Sequence, residues 1–144
     1  MRVFLDTNII LDLLLERDGY ETSAQLFQLR DEGKIELCVS ILTMVNAAFV
    51  YKKSVGQNAV IPNLKYLSTI VDVLPMNDDT LQKSLYLSGK DFEDILQYIC
   101  AVQNNCDVVI TRNTKDFKIK KGLKQPPSSI RVLTPDEFIK QTGS

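Results

Sequence analysis

The sequence contains no histidine. Over 144 residues that absence removes whole classes of chemistry. No Ser-His-Asp or Cys-His unit can form, and no metal site can draw on an imidazole ligand. Cysteine is scarce too. Cys38, Cys100 and Cys106 are odd in number, none forms a Cys-x-x-Cys pair, and each lies among apolar neighbours or at a helix end. Buried free thiols are expected from them, not a redox or zinc centre. No apolar run is long enough to cross a bilayer, because Asp12 and Glu16 punctuate the most apolar stretch. Asp6 falls where a signal peptide would need its apolar core, so a cytoplasmic location with no membrane partner is expected. A strong charge of either sign is also missing. The formal net charge is −1, so the chain has no overall basic signature for nucleic acid. Any catalysis must rest on carboxylates, lysines, tyrosines or a hard metal ion.

What is present reads as one domain spanning residues 1–144, long enough for a single sizeable core. Hydrophobic residues at 44% and charged residues at 24% place it among ordinary globular chains. Short apolar runs at 2–5, 35–39, 71–74, 108–110 and 130–133 read as strands. Between them, helical spacing is expected after Asp6, over 22–31, 41–51 and 61–70 with Pro62 in its first turn, over 79–87, and from Asp91 to about 103. Ser40, Asp78, Asp91 and Thr134 are the expected N-caps, with Pro135 opening a closing helix. Strands that alternate with helices predict an α/β fold, a three-layer sandwich around a mostly parallel sheet.

The stretch that organises the chain is Met1-Arg-Val-Phe-Leu-Asp6-Thr7-Asn8-Ile9. Asp6 closes a short strand, and Asn8 follows at the start of a helix. Thr111, Arg112, Asn113, Lys115 and Asp116 follow the buried run 108–110 in the same way. If that strand pairs with the first, the crevice between their carboxyl ends is a topological switch point, where ligands bind in open α/β sheets. Asp91-Phe-Glu-Asp94 opens a helix expected above this crevice. Asp91 reads as its cap, while Asp94 lies on the side of Ile95, Tyr98 and Ala101. Three carboxylates without histidine make a hard-cation site, for Mg²⁺ or Mn²⁺. Arg112 and Lys115 are placed to hold a phosphodiester, so metal-assisted phosphodiester hydrolysis fits. The later basic cluster, Lys118, Lys120, Lys121 and Lys124, is otherwise a solvated loop.

Taken in order, Phe4-Leu5-Asp6-Thr7-Asn8-Ile9, Ser40-Ile-Leu-Thr43, Asp91-Phe-Glu-Asp94-Ile-Leu-Gln97 and Val109-Ile-Thr111-Arg-Asn-Thr-Lys-Asp116-Phe resemble the PIN-domain ribonucleases. That family includes the VapC-type toxins of toxin–antitoxin pairs. The resemblance covers essentially the whole chain. It implies an α/β/α sandwich and an acidic cluster that binds Mg²⁺ or Mn²⁺ to cleave RNA. By position, Asp6, Asp94 and Asp116 match the catalytic and metal-binding acids, with Asn8, Asp91, Thr111 and Asn113 as accessory groups. Family members often carry a glutamate three residues after the threonine equivalent to Thr43; here that position is Asn46. An amide there accepts a contact but brings no charge.

The expected function is a metal-dependent endoribonuclease with RNA as substrate, a possible antitoxin protein as partner, and a homodimer through the helices of residues 41–70. That segment carries Phe49, Val50, Tyr51, Val55, Val60, Ile61 and Tyr66, more apolar surface than two helices of a small domain bury on one side. Two alternatives stand beside it. One is a non-catalytic PIN-like module that binds RNA or protein, supported by Asn46. The other is a receiver-like domain, which wants paired acids after the first strand and an acid after the third, where this chain has Val73-Leu74-Pro75.

Overall fold

The computed structural model describes residues 1–87, 91–117 and 130–142, apart from the Asp116 side chain. The elements alternate: β1 (Arg2–Leu5), α1 (Thr7–Leu14), α2 (Tyr20–Asp31), β2 (Glu36–Ser40), α3 (Ile41–Val55), α4 (Gln57–Ile70), β3 (Asp72–Leu74), α5 (Asp78–Leu85), α6 (Phe92–Gln103), β4 (Val108–Ile110), a short 3-10 helix (Thr114–Phe117), β5 (Arg131–Leu133) and α7 (Pro135–Thr142). The five strands form one sheet in the order β3-β2-β1-β4-β5. All four pairings are parallel, with Val3 opposite both Leu37 and Val108.

Alternation along the central strands divides the core in two. Val3 and Leu5, with Leu37, Val39, Val108 and Ile110, face a large cluster that includes Ile9, Ile10, Leu26, Ala47, Leu67 and Phe138. Phe4, Cys38 and Val109 face the other way, onto Cys100, Ala101 and Phe117. The result is three layers, with α6 against the second cluster and α5 packed on α6. The three cysteines are free and buried. No described helix is long and apolar enough to cross a membrane.

The chain winds outward from β1 to β3 and then returns to the other side of β1, so the switch point lies between β1 and β4. This order differs from the 2-1-3-4-5 order of receiver-like sheets, which removes that alternative. Two local expectations need correction. Helix α4 begins at Gln57, so Pro62 lies inside it and not in its first turn. Gly56 at φ 92° ends α3 and lets α4 start at once; Pro62 then costs only a bond to the carbonyl of exposed Asn58, which water can satisfy. The cap of α5 is Asn77, not Asp78: its side chain accepts from the Thr80 amide at 3.1 Å while Thr80 Oγ1 accepts from the Asn77 amide at 3.2 Å. Ser40, Asp91 and Thr134 cap as expected.

Candidate active site

Asp6 leaves β1 with its amide donated to the Ile110 carbonyl at 3.0 Å, so β4 fixes the residue's position. Its side chain then turns back as the cap of α1. Oδ1 accepts from the Thr7 amide at 2.7 Å and Oδ2 from the Thr111 hydroxyl at 3.0 Å. The residue is 6% exposed. Burial pushes its pKa above the ordinary carboxylate value, and the Asp91 charge adds to this. The Thr111 and Thr7 hydrogen bonds and the Arg112 charge oppose the shift without cancelling it.

A cavity of about 290 Å³ opens beside this carboxylate, lined by Asp6, Asn8, Asp94, Thr111, Arg112 and Asn113. Asp94 reaches it from the first turn of α6, half-buried. Asp91 is exposed and spent as the cap, accepting from the amides of Glu93 at 2.8 Å and Asp94 at 3.4 Å. Asn113 donates its amide to Thr111 Oγ1 at 3.2 Å, which draws the loop after β4 over the cavity. Lys115 is exposed on the 3-10 helix that follows. The backbone of Asp116 belongs to the same helix, but its side chain lies outside the described residues, as do Lys118, Lys120, Lys121 and Lys124.

Beneath the cavity, Gln97 is completely buried and joins the three elements that carry the site. Its Nε2 donates to Thr43 Oγ1 at 2.7 Å and to Thr7 Oγ1 at 3.3 Å, and its Oε1 accepts from the Ser40 hydroxyl. The hydroxyls of Thr7 and Thr43 lie 2.9 Å apart. A satisfied buried network of this kind fixes the relative placement of the starts of α1, α3 and α6. In the sequence Gln97 only closes the Asp91–Gln97 motif and has no role of its own. A polar side chain within Ile95–Cys100, one turn after Asp94, was the available signal.

Asn46 does not line the acid cavity. It lies in a neighbouring groove of about 440 Å³ that shares Asn8 with it and is also lined by Leu11, Val45, Phe49 and Glu93. Asn46 Nδ2 donates to Glu93 Oε1 at 3.1 Å. Glu93 is the second residue the sequence reading passed over. Burial raises its pKa first, and the charges of Asp6 and Asp91 raise it further, against the Asn46 bond. A carboxylate therefore stands next to the position where the α3 acid is missing, but it is delivered by α6. Arg112 has a partner that the sequence does not announce. Besides lining the cavity, it is ion-paired to Asp12, with Nε 3.2 Å from Oδ2.

The donors at the cavity are all oxygens of carboxylate, amide and hydroxyl groups, a set that suits a hard cation and not a soft one. Among the described residues no group of three or more acids or cysteines is gathered closely enough to hold a metal by itself. Asp6 and Asp94 are the two carboxylates on the cavity, and the fourth-strand acid Asp116 falls outside that description.

A fully parallel, doubly wound sheet with carboxylates at its switch point defines an acid-site α/β domain. The chain belongs to the PIN-domain family, whose model matches residues 2–115. It is distantly related to VapC-type ribonuclease toxins. Ribonuclease VapC1 of Aquifex aeolicus (strain VF5) is 27% identical over 143 residues, covering 95% of this chain and 92% of that protein. The VapBC-1 structure from nontypeable Haemophilus influenzae is 25% identical with a TM-score of 0.58, over 81% of this chain and 90% of that one. VapBC2 from Rickettsia felis, bound to a DNA fragment from its promoter, shares the fold with a TM-score of 0.67 at 16% identity, over 93% and 98% of the two chains.

Proposed function

We propose that the chain is a divalent-metal-dependent endoribonuclease and the toxin of a toxin–antitoxin pair, with Asp6, Asp94 and Asp116 as the acids that hold Mg²⁺ or Mn²⁺. The observation that carries this reading is the state of Asp6. It is buried at the switch point, bonded by neutral donors, and shares one cavity with Asp94. These two carboxylates, with the oxygens of Asn8, Thr111 and Asn113 beside them, form a donor set that suits a hard divalent cation. When bound, a hard divalent ion polarises the phosphodiester and lowers the pKa of a water that can attack it.

The chain's own residues do the rest. Thr7 and Thr111 hold the Asp6 carboxylate in one orientation from both of its oxygens. Gln97 keeps the first turn of α6, and with it Asp94, in register with Asp6. Asn8 and Asn113 bring amides to the cavity mouth, and Arg112 and Lys115 supply positive charge to the substrate's phosphates. The test is cleavage of single-stranded RNA by the purified chain with EDTA, Mg²⁺ or Mn²⁺. Metal-dependent cutting that Asp6→Asn and Asp94→Asn both remove supports the proposal; cutting that survives either substitution contradicts it.

A second reading, a binding module without catalysis, is favoured by Asn46, whose neutral amide is turned onto Glu93 and away from the acid cavity. RNA binding without metal uptake or cleavage would select it. For partners, the chain's structural neighbours include toxin–antitoxin complexes, and an antitoxin is proposed here by that analogy. Homodimerisation through α3 and α4 is proposed on a smaller surface than the sequence suggests. Tyr51 and Val60 are buried in the domain itself, which leaves Ile41, Val45, Phe49, Val55, Ile61 and Tyr66 as the exposed large apolar groups of α3 and α4. A monomer by light scattering at high concentration would count against the dimer.

A further inference from the structure

Asp12 takes no part in the site described above, yet it is almost sealed from solvent, at 1% exposure, inside the most apolar helix of the chain. A buried carboxylate requires a cation, and one would neutralise it. Asp12 has two. Arg17 Nε donates to Oδ1 at 3.1 Å, and Arg112 Nε stands 3.2 Å from Oδ2, a charge contact and not an aligned hydrogen bond. The triad thus keeps an excess of one positive charge. Both arginines remain partly open to solvent, with side chains 35% and 45% exposed.

Their placement is built in. The loop after α1 folds back on Asp12, with the Arg17 amide on the Asp12 carbonyl at 3.1 Å and the Tyr20 amide on the Arg17 carbonyl at 2.9 Å. Gly19 makes this closure possible: it has φ 94°, and a Cβ there would stand 3.2 Å from Asp12 Oδ2. The outer side of the triad adjoins the acid cavity. Arg112 lines that cavity, and Arg17 Nη2 donates to Asn8 Oδ1, another lining residue, at 3.4 Å. The cavity's own surroundings, Asp6, Asp91, Glu93 and Asp94, repel a polyanion. A substrate with phosphates needs cations held at a fixed place beside them, and guanidinium forks suit that geometry.

We propose that Asp12 is a positioning residue, which fixes Arg17 and Arg112 as a paired docking edge for the phosphates of an RNA strand entering the acid cavity. The identity of the strand rests on the ribonuclease reading; the docking edge itself does not require metal. It can therefore be tested without catalysis, by fluorescence anisotropy of a short labelled single-stranded RNA in EDTA.

Asp12→Asn raises the net charge of the protein by one unit, so unspecific attraction to RNA would tighten. Positioning requires the opposite: affinity falls about tenfold, the loss expected for one or two charged hydrogen bonds. The slope of log affinity against log salt also shrinks by about 0.7 for each phosphate that the arginines no longer neutralise. Unchanged or tighter binding by folded Asp12→Asn overturns the proposal. If that variant does not fold, Arg17→Gln and Arg112→Gln decide, since both arginines are partly exposed; a comparable loss in each supports the edge, and wild-type affinity in both overturns it. Cleavage and Mn²⁺ uptake are scored separately on the wild type. A chain that neither cuts nor takes metal, but shows the Asp12 effect, refutes the nuclease and keeps the docking edge. A chain that cuts, with RNA affinity unmoved by Asp12→Asn, does the reverse.

Discussion

Asp6 caps the start of α1 and Asp12 lies in its last turn; both are largely buried, yet the fold accommodates them in opposite ways. Asp12 meets two guanidiniums. Asp6 meets an amide and a hydroxyl; the Arg112 charge, shared with Asp12, favours its ionisation, while burial and the Asp91 charge oppose it. A charge that is fully partnered serves the structure and what it positions. A charge that is buried on neutral donors is held where an external cation would relieve it. Environment gives opposite roles to two acids of one helix, of which the sequence singles out only Asp6.

The largest effect should be on chemistry. Asp6→Asn is expected to lower the kcat/KM for RNA about a thousandfold, the scale of losing several kcal/mol of metal-borne transition-state stabilisation. Asp12→Asn should lower it only through weaker RNA binding, visible in KM while kcat holds. Equal losses in kcat for the two variants would erase the distinction.

Stability in EDTA should separate them by sign. Asp12→Asn is expected to cost about 1–3 kcal/mol in urea unfolding. This is less than for a fully buried pair, because both arginines can rehydrate when released. Asp6→Asn should instead stabilise at pH 7. The folded-state pKa of Asp6 lies above its ordinary value of 3.8, so the native state binds more protons than the unfolded chain between those two pKa values. The cost of its charge is therefore present at neutral pH and disappears as pH falls through the folded value toward 3.8. Unfolding curves of wild type and Asp6→Asn should converge in acid; a gap that widens there would contradict the assignment.

Gln97→Leu tests the frame on which Asp6 alone depends. It takes one partner from each of the buried hydroxyls of Ser40, Thr43 and Thr7, which keep their bonds to one another, and should cost about 1–3 kcal/mol, with metal affinity lowered too. RNA affinity in EDTA, which depends on Asp12, should hold. The smallest effect is expected from Asn46→Glu. Because Asn46 donates to Glu93 at 3.1 Å, the new carboxylate faces an existing one. Melting in EDTA should drop by a few degrees, as about 1 kcal/mol of repulsion implies. Mn²⁺ should recover it if the groove and the acid cavity share an ion. A drop with no recovery would place Asn46 outside the metal's reach.

The strands and their parallel order were legible because each is a short apolar run bounded by polar turns, and the caps Ser40, Asp91 and Thr134 carry their own local chemistry. Asp6 and Thr111 were legible as neighbours once β4 was expected beside β1. Partnerships across the chain were not. Nothing within α1 says that Asp12 meets Arg112, since that depends on how the loop after β4 crosses the end of α1. Glu93 was hidden for a similar reason. In sequence it is one of several acids in a helix's first turn, and only the approach of α3 to α6 brings Asn46 against it. Tyr51 and Val60 were misplaced on the surface because α3 and α4 pack against each other along more of their length than the expected boundaries allowed.

Calorimetric titration of Mn²⁺ into wild type, Asp6→Asn and Asp12→Asn tests the contrast most directly. Asp6 as the cation-seeking acid predicts saturable binding in wild type, loss of it in Asp6→Asn, and retention in Asp12→Asn. Binding that survives Asp6→Asn, or that Asp12→Asn abolishes in a folded protein, would contradict the account.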